Sequence, residues 1–202
     1  MKNNPADFWN ERFGKEEFIY GTEPNQFFKV QLQNLEIGTL LLPAEGEGRN
    51  AVYAATQGWE VSAFDISEQG RVKAMLLAKQ HNVNINYEIV SVLDYTSHKQ
   101  FDVIAFCYTH FPIDIRKTAH KQMLQLLKKG GTIIFEAFAK AQLNNDSGGP
   151  KNEAMLFSID EVKQEFTGLD FKILEEKTIE LSEGEFHKGK AEAIRFVGVK
   201  NE

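Results

Sequence analysis

Between Leu40 and Asn50 the chain reads Leu-Leu-Leu-Pro-Ala-Glu-Gly-Glu-Gly-Arg-Asn, and this stretch limits the fold more than any other. The three leucines read as a buried strand, Gly46 and Gly48 mark a tight turn, and Ala51, Val52, Ala54 and Ala55 continue as an apolar helical face. Strand, glycine turn and helix in that order make a corner whose backbone amides can approach a phosphate or a nucleoside. The next strand, Glu60 to Asp65, ends in a carboxylate 17 residues beyond Gly48, close to the spacing at which an acidic side chain meets a ribose hydroxyl. A nucleoside-containing cofactor is the first expectation. Gly46-x-Gly48-x-x-Ala51 fits a dinucleotide corner and an adenosyl-methionine corner equally well.

The rest of the chain alternates strand and helix. Pro5 suits a first helical turn, and Phe8, Trp9, Arg12 and Phe13 follow at amphipathic spacing up to Gly14. A turn from Tyr20 to Asn25 precedes a second helix marked by Phe27, Phe28, Leu32 and Leu35, so residues 1–36 form an N-terminal helical cover and 37–202 the core. Ser67 caps a helix whose apolar positions Val72, Met75 and Leu76 fall at helical spacing. Further strands are expected over Tyr87–Val90, Phe101–Phe106 and Thr132–Phe138, with a helix from Asp114 to Lys128 that Gly130-Gly131 stops. Ala139–Pro150 is rich in turn residues and reads as a flexible lid. Ser158-x-x-Glu161 has the form of a capping box, and Asp170–Leu181 with Ala191–Lys200 reads as an antiparallel hairpin. This order predicts an α/β, Rossmann-like three-layer sandwich: a seven-stranded, mostly parallel sheet closing in a C-terminal antiparallel hairpin, behind two cover helices.

Composition narrows the partners. A length of 202 residues suits one domain, 1–202. With 23 Lys and Arg against 29 Asp and Glu, a net charge of −6 disfavours nucleic acid and favours a small-molecule substrate. A lone cysteine, Cys107, excludes an internal disulfide or cysteine cluster, and five histidines without an H-x-x-x-H pattern give no metal site. There is no run of 18 apolar residues, and Met1-Lys2-Asn3-Asn4-Pro5 lacks a leader's apolar core, so no membrane segment and a cytoplasmic location are expected.

Five β-α units and a hairpin leave no residues for the second, catalytic domain that a dinucleotide-binding domain usually accompanies. Phe8-Trp9-Asn10-Glu11-Arg12-Phe13, Tyr20-Gly21-Thr22-Glu23-Pro24-Asn25, Glu45-Gly46-Glu47-Gly48-Arg49-Asn50-Ala51, Lys129-Gly130-Gly131 and Gly148-Gly149-Pro150 together resemble class I S-adenosylmethionine-dependent methyltransferases. Within that class they resemble the tellurite-resistance (TehB-like) and thiopurine methyltransferase-related group, from Phe8 through Glu183-Gly184 and His187-x-Gly189. The resemblance implies that Tyr20 of the cover, Ala44, Glu45, Gly46, Gly48 and Asn50 line the methionine part of the cofactor. Asp65 would hold both ribose hydroxyls, Ile66, Ser91, Val92 and Leu93 would frame adenine, and Cys107 would lie beside the sulfonium. The sequence departs from the pattern where the family's first strand carries an acidic residue two places before its first glycine: Leu42 and Ala44 stand there.

Transfer of a methyl group from a sulfonium is an in-line displacement governed by positioning, and a base is needed only if the acceptor must lose a proton. His110, Glu136 and His187 are the candidates for catalysis; Arg12, Arg49, Phe111 and Arg116 are the candidates for holding the acceptor, a thiol, metalloid oxyanion or other small metabolite. His81, His98 and His120 read as surface residues. Two other functions fit the same corner: a sensor or scaffold that binds adenosyl ligands without turnover, and an NAD(P)-dependent oxidoreductase.

Overall fold

In the computed structural model, which describes residues 4–201, seven strands form one sheet in the order β3-β2-β1-β4-β5-β7-β6. Met1, Lys2 and Asn3 of the stretch read for a leader lie outside the described residues. The strands are β1 (Thr39–Pro43), β2 (Glu60–Asp65), β3 (Asn86–Ile89), β4 (Phe101–Cys107), β5 (Leu127–Phe138), β6 (Leu169–Ser182) and β7 (Lys188–Lys200). All neighbours pair in parallel except those of β7, which runs antiparallel to both β5 and β6, the architecture the sequence predicts. The helices are α1 (Pro5–Phe13), α2 (Gln26–Leu32), α3 (Arg49–Thr56), α4 (Glu68–Gln80), α5 (Ile113–Leu126) and α6 (Ile159–Glu165). Among them no helix is long and apolar enough to cross a membrane.

The leucine run shows why the sheet needs helices on both faces. Alternation sends Leu40 and Leu42 to the side of α2, α3 and α4, and Leu41 to the side of α5 and α6. On the second side Phe106, Phe135, Phe157, Phe166 and Phe196 are fully buried, each contributing about 1.5 to 3 kcal/mol relative to exposure. Helix starts follow the capping rules: Asn4, Asn25 and Ser67 each accept a first-turn amide, and Ser158 and Glu161 form the expected box.

Three local expectations are corrected. Helix α5 ends at Leu126 rather than Lys128, because Leu127 is already extended and pairs with Phe101; Gly130, with φ +72°, lies in a bulge of β5 instead of stopping the helix. Helix α4 buries Gly70, Ala74, Leu77 and Ala78, while Val72, Met75 and Leu76 face solvent. The small residues go inward because α3 lies close against α4: a Cβ on Gly48 would sit 2.5 Å from Ala74 Cβ. Finally, Ala139–Pro150 is folded down as a strap rather than standing as a loose lid. Gln142 Nε2 donates to Ser147 Oγ and Gly148 O, Gln142 Oε1 accepts Glu192 N–H, and Ser147 Oγ donates to Lys190 O.

Candidate active site

The turn after β1 is left-handed at three places, Ala44 (φ +51°), Gly46 (φ +62°) and Gly48 (φ +85°). For Ala44 this conformation costs about 1 to 2 kcal/mol, and Glu45 on its far side supplies the anchoring. Glu45 N donates to Phe64 O (3.1 Å), and its carboxylate accepts Asn50 N (2.8 Å), Ala51 N (2.8 Å) and Asn50 Nδ2 (3.3 Å). The carboxylate absent at Leu42, which is buried in the sheet, is thus replaced by one three places later that caps α3 from inside the turn. Burial raises its pKa to about 7 despite those hydrogen bonds.

Asp65 stitches the ends of β1 and β2 together. One oxygen accepts Gly46 N–H (3.0 Å) and the other Ser67 N–H (2.9 Å); burial outweighs these bonds and raises its pKa to about 6. Each oxygen keeps acceptor capacity, as a vicinal diol requires. Gly46 presents no side chain, Tyr87 Oη fixes its carbonyl (2.6 Å), and Phe13 of α1 closes its outer side, lying 3.0 Å from where a Cβ would stand. Val90 N–H donates to Asp65 O (3.0 Å), which sets the start of the Ser91–Leu93 segment beside the end of β2; Val92 is buried in the core, and the Ser91 hydroxyl is turned to Asp94 (2.6 Å). The donor and acceptor set fits an adenosyl group.

The remaining predicted residues fall into two groups. Arg49, Glu136, His187, Tyr20 and Cys107 converge above the carboxyl ends of β4 and β5. Glu136 is buried; Oε1 accepts Asn25 Nδ2 (2.6 Å) and Tyr108 Oη (2.7 Å), and Oε2 pairs with Arg195. Arg49 Nη2 donates to Glu183 (2.8 Å) and Nη1 to Tyr20 O (3.1 Å). His187 is packed among Tyr20, Tyr108 and Phe138, with ring centroids 4.6, 4.5 and 5.3 Å away. Burial, followed by the carboxylates around it, raises the Cys107 thiol well above its usual range, so it stays protonated and packs as a small apolar group. Arg12 reaches the same cover by donating to Tyr20 Oη (3.0 Å) and lying over Phe8 and Phe186. Asn25, Tyr108, Glu183 and Arg195 belong to this cluster and were not singled out from sequence. A cavity of about 240 Å³, bounded in part by Glu23, Gln26, Glu136, Glu183 and Arg195, adjoins it.

Arg116 and Phe111 do not join the cluster as expected, and His110, at its edge against Phe138, is taken up by backbone contacts. Arg116 is buried in the opposite layer, where Nε and Nη2 donate to Glu165 Oε1 (2.9 and 2.6 Å) and Nη1 to Ala154 O and Leu156 O. An arginine on α5 faces the core here because Glu165 of α6 neutralises it. His120, expected on the surface, is buried beside it with Nδ1 2.8 Å from the same glutamate. Phe111 packs in the same apolar layer. Both nitrogens of His110 are used by backbone, Nδ1 with Met155 O (2.8 Å) and Nε2 with Phe138 N–H (3.3 Å). Burial lowers its pKa to about 4, so it ties Met155 to the end of β5 as a neutral ring. Tyr95 and Lys99 have the Tyr-x-x-x-Lys spacing of compact dehydrogenases, but Tyr95 stacks on Phe64 in the core (4.3 Å) and Lys99 pairs with Glu60 on the surface (2.8 Å), which disfavours the oxidoreductase reading.

Residues 42–131 match the family described as a methyltransferase domain. No curated protein matches the sequence. Among solved structures, one from work on conversion of a disulfide bond into a thioacetal group during echinomycin biosynthesis superposes with a TM-score of 0.77 at 14% identity, covering 98% of this chain and 93% of the other. TehB from Haemophilus influenzae gives 0.73 at 16% identity, covering 97% of this chain and 67% of its own. The magnesium protoporphyrin IX methyltransferase ChlM from Synechocystis PCC 6803, with bound S-adenosylmethionine, gives 0.70 at 15%, covering 97% and 95%. Residues 42–131 thus match a methyltransferase domain, and the chain shares its fold along nearly its whole length with these proteins.

Proposed function

We propose that the protein transfers the methyl group of S-adenosylmethionine to a small-molecule acceptor held between the N-terminal cover, the ends of β4 and β5, and the β6–β7 hairpin. The observation that carries this reading is the pairing of Asp65 with the glycine turn: a buried carboxylate held 3.0 Å from Gly46 N, with lone pairs to spare, at the end of the strand next to β1. Asp65 would hold the ribose, the Ala44–Gly48 backbone with Asn50 and Tyr20 would line the methionine part, and Ile66, Ser91, Val92 and Leu93 would frame adenine. When bound, the cofactor supplies an electrophilic methyl group. The chain's own part is to align the acceptor and exclude water.

A small acceptor is favoured by the closed approach. Ile19 N donates to Glu47 (2.9 Å), Glu185 N donates to Ile19 O (3.1 Å), and the adjoining cavity of about 240 Å³ suits a small molecule. Where Arg49 and Arg195 could hold an anion, each is already paired with a carboxylate, so an acidic acceptor such as a metalloid oxyanion is less suited than a thiol or a neutral metabolite. Within the recognised class, kinship with TehB or thiopurine methyltransferases rests on the sequence motifs quoted above. Calorimetric titration with S-adenosylmethionine and S-adenosylhomocysteine tests the reading. One site per chain is expected, and the absence of heat and of thermal stabilisation with both ligands rejects it. Tight binding with no turnover across thiols, amines, selenite and tellurite would favour the sensor alternative.

A further inference from the structure

Glu183, on the turn between β6 and β7, brings two other segments and a histidine of its own turn to one carboxylate. Oε2 accepts Arg49 Nη2 of α3 (2.8 Å) and faces His187 Nδ1 (3.4 Å); Oε1 accepts Asn25 Nδ2 of the cover (3.3 Å). Burial would raise its pKa, but the bonds to His187 and Arg49 prevail and lower it to about 2, so it is ionised. The turn reaches this position because Gly184, φ +70°, lies backbone to backbone on the cover, where a Cβ would sit 2.3 Å from Ile19 O. His187 is 5% exposed, and its Nε2 neither has a hydrogen-bond partner among the described residues nor is sealed from solvent. An imidazole whose Nδ1 faces a carboxylate carries its proton there and leaves a lone pair on Nε2.

The geometry points to Glu183 as a positioning residue for His187, and to His187 Nε2 as the atom that takes the proton from a protic acceptor. This deepens the methyl-transfer reading and rests on it. A lone pair on the acceptor nitrogen, oxygen or sulfur forms the bond to the methyl carbon while the carbon–sulfur bond breaks and its electron pair stays on sulfur. The acceptor's proton passes to Nε2, giving an imidazolium paired with Glu183, and then to water. The acceptor class that needs this device is a neutral amine, hydroxyl or thiol; a selenite or tellurite oxyanion attacks through the lone pair on its chalcogen and need lose no proton to do so. Besides Glu183 and Arg49, the groups facing the ring are Glu136 of β5, His110 after β4 and the phenols of Tyr20 and Tyr108. Burial and Arg49 lower the histidine's pKa while Glu183 and Glu136 oppose them, so the ring is neutral at pH 7.

Two measurements test this. Long-range ¹H–¹⁵N spectra of the protein at pH 7.5 are expected to show His187 as the Nδ1–H tautomer, and an Nε2–H tautomer overturns the assignment. Turnover is followed with methyl-labelled S-adenosylmethionine and benzylamine, phenol, thiophenol, selenite and tellurite as acceptors. Transfer to a protic acceptor is expected. Transfer confined to the oxyanions, or none from protein that binds the cofactor, overturns the proposal. With the working acceptor, His187→Gln and Glu183→Gln should each lower kcat by about 100-fold while cofactor Kd stays within about threefold. His187→Gln should abolish the acid limb of the kcat profile, and Glu183→Asp should restore part of the rate. A His187→Gln enzyme with kcat within threefold of wild type and an unchanged acid limb refutes the role. A wild-type protein that binds no cofactor removes the methyl-transfer reading instead, and the tautomer spectrum still decides the pairing.

Discussion

The cofactor corner and the polar cluster above β4 and β5 are built by opposite means. The corner is assembled from one short stretch and its neighbouring strand: the turn, α3 and Asp65 all lie between Leu40 and Ser67, and Asn50 N–H donates to Glu45 and Gly46 N–H to Asp65. The cluster takes Asn25, Arg49, Tyr108, Glu136, Glu183, His187 and Arg195 from all along the chain. A locally specified corner can carry the same cofactor in many proteins. A cluster assembled from distant segments is where acceptor choice can vary without disturbing it.

The largest expected effect separates a buried arginine from both regions. Arg116→Met leaves Glu165 and His120 without their cation and should cost about 3 to 5 kcal/mol in denaturant unfolding, with cofactor affinity of the folded fraction unchanged. A loss of affinity without loss of stability would return Arg116 to the site. Next, Gly48→Ala forces a Cβ into Ala74 at a left-handed position, and should cost about 3 kcal/mol by thermal unfolding. Asp65→Ala should weaken cofactor binding by about 1.5 to 3 kcal/mol, the usual loss for a charged hydrogen-bond partner, against a small change for Tyr108→Phe. Equal losses at the two positions would erase the contrast between corner and cluster.

The smallest effect is a pH dependence. A ribose diol donates to the ionised carboxylate, and Asp65 ionises at about pH 6, so cofactor affinity should rise by about tenfold between pH 5 and 7. For the free protein the sign reverses. The raised pKa values of Asp65 and Glu45 stabilise the fold fully below the unfolded carboxylate range, and that contribution is lost as pH rises through about 6 and 7. In Asp65→Asn the affinity slope should vanish; a slope that survives assigns it to Glu45.

The contrast also governs what could be read from sequence. The corner was legible because strand, glycine turn, helix and acidic strand end are neighbours in the chain, so local rules suffice. Arg195 was legible in principle: Glu136 is the one charge between Thr132 and Phe138, and the antiparallel register of β5 with β7 sets Arg195 directly opposite it. Glu183 offered no such signal, since a glutamate on a turn rich in charge looks solvated until Gly184 lets that turn rest on the cover. Arg116 and His120 misled for the same reason: their partner Glu165 is 49 and 45 residues away, on another helix. The strap was read as mobile from its turn residues, which in fact fold it against Phe138 and the hairpin.

The most direct measurement is a crystal structure with S-adenosylhomocysteine. The account predicts both ribose hydroxyls within about 2.5 to 3.0 Å of the Asp65 carboxylate oxygens, the thioether sulfur facing Cys107 and Tyr108, and the methionine part along the Ala44–Gly48 backbone. A product molecule bound elsewhere, or an Asp65 that makes only its present contacts to Gly46 and Ser67 with the ligand in place, would contradict it.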